Sequence, residues 1–109
     1  MSIKIKLSNL VKFRVKGEMN DEKGNKQPVD FSLTCERRPA DDWKDVFVEG
    51  EKLSVGFAKI TKGWSDVLDE DDKPVDYSPE ALAQLFGNSG VAQLAYMTYM
   101  TESGVKAKN

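Results

Sequence analysis

The sequence predicts an α+β domain: an N-terminal antiparallel β-hairpin, extensible to three strands, packed by three to four short helices. Three observations lead there. Two stretches near the N-terminus alternate apolar and polar residues, the period lengthens after Pro39, and a proline-marked helix start stands at Ser78. Strands that come first and helices that follow give helices packed on one face of a small antiparallel sheet.

In "VKFRV", Val11, Phe13 and Val15 fall on one side and Lys12 and Arg14 on the other. In "VDFSLTC", Val29, Phe31, Leu33 and Cys35 share a side in the same way. A period of two marks a half-buried strand. The segment between them, "NDEKGNKQP", is polar and turn-rich, and Gly24 and Asn25 tolerate positive φ. A hairpin with a longish loop follows. Ile3, Ile5 and Leu7 alternate as well and fit either a third strand or a flexible arm.

Beyond Pro39, Asp41 or Asp42 can cap a helix whose apolar positions Trp43, Val46 and Phe47 recur at helical spacing, with Gly50 as its end. Leu53, Phe57 and Ile60 suit a second short helix that stops at Lys62-Gly63, although Val55 and Gly56 weaken it. Ser78 can cap the next helix, Pro79 stands where a missing N–H costs nothing, and Glu80 meets the positive helix end. Leu82, Leu85 and Phe86 form its buried side, and Gly87 closes it. Asn88 or Ser89 opens the last helix, where Val91, Leu94, Ala95 and Thr98 make a stripe that Tyr96, Tyr99 and Met100 widen. Residues 1–104 read as a single domain and 105–109, "VKAKN", as a flexible tail.

Composition excludes several functions. A chain of 109 residues suffices for one hydrophobic core, and 39% hydrophobic with 31% charged residues is ordinary for a globular domain. No apolar run approaches the ~18 residues of a membrane span, and "MSIKIKLSNLVKFRV" lacks the apolar block of a secretory signal, so a cytoplasmic location is expected. There is no histidine and one cysteine, so no disulfide framework exists and Cys35 lacks the usual base for a thiol nucleophile. Cys35 reads as a packed strand residue.

The net charge of −2 hides a polarity. Residues 1–16 carry Lys4, Lys6, Lys12, Arg14 and Lys16 with no acid, whereas Asp66 to Glu80 holds seven acids against Lys73 alone. These halves can meet within one fold or between copies. A nucleic-acid binder would more often be net basic, with aromatics among its cations, and none is expected here.

The acidic stretch invites a calcium reading, since Asp69, Asp71 and Glu80 match the first, third and twelfth positions of an EF-hand loop. Lys73 and Pro74 break the match where a carbonyl-type ligand and a glycine are needed. With no base, nucleophile or glycine-rich phosphate loop alongside, the expectation is no enzyme, no metal and no cofactor. Two readings of the stretch remain: a solvated turn between helices stiffened by Pro74 and Pro79, or a docking surface anchored by Trp64 or Tyr77. The largely apolar and aromatic run from Val91 to Met100 exceeds one buried face and points to a partner helix or a subunit contact.

The order of parts, a polar-faced hairpin, an Arg-Arg-Pro exit, "KGWSDVLDEDDKPVDYSPEALAQLF" and then "GVAQLAYMTYMTE", resembles the small tail assembly chaperones of long-tailed bacteriophages. Gly63, Trp64, Asp69, Pro74, Tyr77, Ser78, Glu80, Leu82 and Tyr96 or Tyr99 occupy the family's marked places. The resemblance implies a non-enzymatic factor in the host cytoplasm, absent from the finished virion. Such a factor binds and solubilises the tape measure protein until tail tube subunits assemble around it, and possible self-association goes with that role. Trp64, Tyr77, Phe86, Tyr96, Tyr99 and Met100 are the candidate partner-binding residues. The resemblance also implies a longer frameshifted product, which codons for Ala107-Lys108-Asn109 can permit. An acidic adaptor or nucleic-acid mimic of phage origin is the competing reading, though a net charge of −2 is small for a mimic.

Overall fold

A computed structural model of the chain describes residues 9–38 and 43–104. Strand β1 (Leu10–Asn20) pairs antiparallel with β2 (Lys26–Glu36) in an unbroken register from Leu10 opposite Glu36 to Asn20 opposite Lys26. Val11, Phe13 and Val15 on β1 and Phe31, Leu33 and Cys35 on β2 are buried, as the alternation requires. The loop is shorter than the sequence suggests, because the polar strand ends still find cross-strand partners, Glu18 opposite Pro28 and Met19 opposite Gln27. Asp21 closes the turn: its carboxylate accepts the backbone N–H groups of Asn25 and Lys23, both at 2.9 Å, and Gly24 takes φ 81°. Those hydrogen bonds, Asn25's first, hold the Asp21 carboxyl below its ordinary value.

The third strand comes from an unexpected place. Ile3, Ile5 and Leu7 lie outside the described residues, and β3 is instead Thr61–Ser65, directly after helix α2 (Leu53–Ile60). The chain therefore leaves the helix before Lys62-Gly63. Thr61 is already extended at φ −79°, ψ 129°, and the free edge of β2 supplies the ladder. The sheet runs β1-β2-β3, all antiparallel, with Leu33 opposite Trp64 and an irregularity at Thr34/Cys35.

Helix α1 (Trp43–Val46) is a single turn that ends short of Gly50, and its expected caps Asp41 and Asp42 lie outside the described residues. Gly56, a weak point for α2 by propensity, is required by packing: a Cβ there would stand 2.7 Å from the Val46 carbonyl oxygen. Helix α3 (Pro79–Leu85) begins as expected, with Ser78 Oγ accepting the Ala81 N–H at 3.0 Å. Helix α4 (Ser89–Glu102) is capped by Asn88, whose Oδ1 accepts from Gly90 and Val91 at 3.0 and 3.3 Å.

The result is an α+β fold, with a three-stranded antiparallel sheet and four helices among the described residues. Phe57 centres the core, edge-on to Phe86 at 5.0 Å and to Phe47 at 5.2 Å between ring centroids. Tyr99 joins it from α4, 5.8 Å from Phe13, and its hydroxyl donates to the Glu36 carbonyl at 2.7 Å. That hydrogen bond helps a polar ring end to be buried between α4 and the sheet.

Candidate protein-binding surface

The acidic stretch folds back on itself after β3 as a small hairpin outside the sheet and is not a plain turn between helices. At Asp66, with φ 64°, the chain leaves β3. Leu68 then bridges to Pro74, Val75 N–H donates to the Val67 carbonyl at 2.9 Å, and Asp69 N–H donates to the Lys73 carbonyl at 2.9 Å. Asp69 Oδ1 orders the tip by accepting from the N–H groups of Asp71 and Lys73 at 2.8 and 3.0 Å. Asp69, Glu70, Asp71 and Asp72 are all exposed at this tip. Among the described residues no three acidic or cysteine side chains converge as metal ligands would.

Trp64 on β3 holds the hairpin down. Its indole N–H donates to the Val75 carbonyl at 2.8 Å, and its ring meets Tyr77 edge-on at 5.2 Å. Both rings are half-buried. Arg14 ties the other side, donating to Asp30 at 2.5 Å, Ser32 at 3.1 Å and Asp66 at 2.6 Å. The Asp30 carboxyl is held below its ordinary value, chiefly by that hydrogen bond from Arg14. At the far end of β2, Lys62 bonds Glu36 at 2.7 Å and lowers its carboxyl likewise.

The remaining candidates divide by burial. Phe86 and Tyr99 belong to the core, so neither ring is presented outward. Tyr96 is half-buried, edge-on to Phe47 at 4.9 Å. Met100 is 41% exposed, and Met97, which sequence reasoning did not single out, is 64% exposed. Val91, Ala95 and Tyr99 recur at helical spacing on the buried side, and Gln93, Met97 and Met100 recur on the opposite one. A signal for this outer face was in the sequence: from Ala81 to Thr101 no residue is charged. A helix face that only meets water normally carries charge.

No known protein family, curated protein or solved structure matches the chain. Chemistry must therefore be read from the residues themselves. Burial pushes the Cys35 thiol up to about 11, and its Sγ lies 3.6 Å from Thr61 Oγ1 in the closed interior. Burial also pushes the Tyr99 hydroxyl up to about 12. A protonated, enclosed thiol is a packing group and not a nucleophile. No helix among the described residues is long and apolar enough to cross a membrane. What the surface offers is contact: an uncharged helix face with two exposed methionines, and a separate acidic hairpin.

Proposed function

We propose that this protein is a non-enzymatic tail assembly chaperone of a long-tailed bacteriophage. It binds and solubilises the tape measure protein and helps recruit tail tube subunits, acting in the host cytoplasm. The observation that carries this reading is the outer face of α4, where Met97 and Met100 stand exposed on a helix without charge. Methionine is flexible and polarisable, so such a face can cover an apolar stripe on a long helical partner without demanding one exact shape. The charged remainder of the surface, 31% of residues overall, would keep the complex soluble. The likeness of residues 63–100 to the chaperone family supplies the identity of the partner. Tyr99, being core, has no part in the contact.

Co-expression tests the proposal. The tape measure chain of the same phage should be soluble and copurify with this protein, and should precipitate without it. Met97→Lys with Met100→Lys should abolish copurification while leaving the melting temperature near that of the parent. A tape measure chain equally soluble with and without this protein would overturn the assignment.

A further inference from the structure

The edge of β2 is only partly covered. Strand β3 pairs with it from Ser32 to Cys35, so among the described residues the stretch Lys26–Phe31 has a neighbouring strand on one side alone. Beside that open half-edge, where the chain turns away at Asp66, lies a groove of about 350 Å³. Val29, Phe31, Val67, Leu68, Leu85 and Val91 make it apolar, and Leu68 is 52% exposed on its rim. On the outer face of the same edge sit Asp30 and Asp66, both ion-paired to Arg14, with Lys16 opposite Asp30 across the ladder and the acidic hairpin tip next in sequence after Asp66. The site asks for a short strand with apolar residues on one face and cations on the other.

We infer that this groove receives residues 3–7 of a second copy of the chain, added as a further strand beside β2. The segment "IKIKL" has that pattern. Added to the sheet, Ile3, Ile5 and Leu7 continue the face of Val29 and Phe31, while Lys4 and Lys6 fall on the face of Asp30. Pro28 has no N–H to give such a strand, which thins the ladder there and leaves selectivity to the side chains.

Reach requires a second copy. Leu10 stands opposite Glu36, and the groove's Val29 stands opposite Gly17, seven residues further along β1. At about 3.3 Å per residue, plus about 10 Å across two strand spacings, the groove lies about 25 Å from Leu10. Ile5 is five residues from Leu10 and extends at most about 18 Å. A chain therefore cannot fill its own groove with this segment. Each copy offers one groove and one segment, so two copies can exchange segments and close as a dimer, or the contact can run on head-to-tail into a larger ring or a filament.

Sedimentation of the full chain tests this independently of any tape measure protein. At about 0.01 M ionic strength, where charges act over about 30 Å, the parent's mass should rise with concentration, and added salt should reverse it. Lys4→Glu with Lys6→Glu should be monomeric, as should Leu68→Asp, with Leu68→Ser in its place should the aspartate lower the melting temperature. Mixing the lysine variant, whose groove is intact, with the groove variant, whose segment is intact, should restore one contact and give a 1:1 dimer. Met97→Lys should associate like the parent. A parent that stays monomeric at about 1 mM, a lysine variant that associates as well as the parent, or a mixture that remains monomeric would each overturn the inference.

Discussion

Tyr99 and Met97 are two residues apart on α4, yet one is fully buried and the other is 64% exposed. Their faces differ little in composition. Val91, Ala92 and Ala95 line the inner side with Tyr99, and Gln93 and Met100 line the outer side with Met97, with no charge on either. What separates them is the sheet. The inner face meets Phe13 and the Glu36 carbonyl, whereas Met97 and Met100 on the outer face stand exposed. An uncharged, exposed apolar surface of this kind is available for another molecule.

The largest effect expected from this difference is on the inner face. Tyr99→Ala should lower stability by about 3–5 kcal/mol, as loss of a large buried aromatic does, read by thermal or urea unfolding. A loss under about 1 kcal/mol would show that α4 is not held where described. Tyr99→Phe keeps the ring and removes the hydroxyl's bond to the Glu36 carbonyl, so a loss of about 1 kcal/mol is expected.

The core beneath that face, where Cys35 of β2 and Tyr99 of α4 are buried, should respond to alkali. Cys35 at about 11 and Tyr99 at about 12 both hold their protons longer folded than unfolded, from ordinary values of 9.0 and 10.0. Their contribution is complete below pH 9 and is lost as pH rises, through the thiol first and the phenol next, because the unfolded chain releases those protons earlier. Stability should therefore fall from about pH 9 upward, and Tyr99→Phe should fall less steeply above pH 10 than the parent. Equal slopes would remove Tyr99 from the account. The smallest effect belongs to the outer face: Met97→Lys should stay within about 0.5 kcal/mol of the parent while losing the partner.

The β1–β2 hairpin was legible because its alternation is local and the same residues that alternate are the ones buried. Ser78-Pro79-Glu80 was legible for a similar reason, since a cap is a contact between neighbours. Strand β3 was not. Thr61-Lys62-Gly63-Trp64-Ser65 has no apolar alternation, contains a glycine, and follows a helical repeat, so nothing within it announces a strand. Its state is decided by the open edge of β2, a partner distant in sequence. Trp64 stood out in the sequence as a candidate anchor for a partner, whereas its indole bond to the Val75 carbonyl, eleven residues on, ties down the chain's own acidic hairpin, a contact no local pattern announces. On α4 the sequence showed more apolar surface than one face could bury, but ranked the tyrosines above Met97. Ring size suggested interface, whereas here the larger side chains were drawn inward to Phe47 and Phe57 and the flexible ones were left outside.

Cys35 gives the molecule a built-in clock. It is the only thiol in the chain, it is fully buried on the middle strand, and Thr61 covers it from β3. A thiol reagent in excess can reach it only when the sheet parts, so the labelling rate at neutral pH is the opening equilibrium multiplied by the rate for a free cysteine. Because β3 is five residues long and β1 is eleven, separation of β3 alone would expose the sulfur well before the hairpin dissolves. Labelling that runs faster than global unfolding would thus time the detachment of β3, the strand that carries Trp64 and, through it, the acidic hairpin.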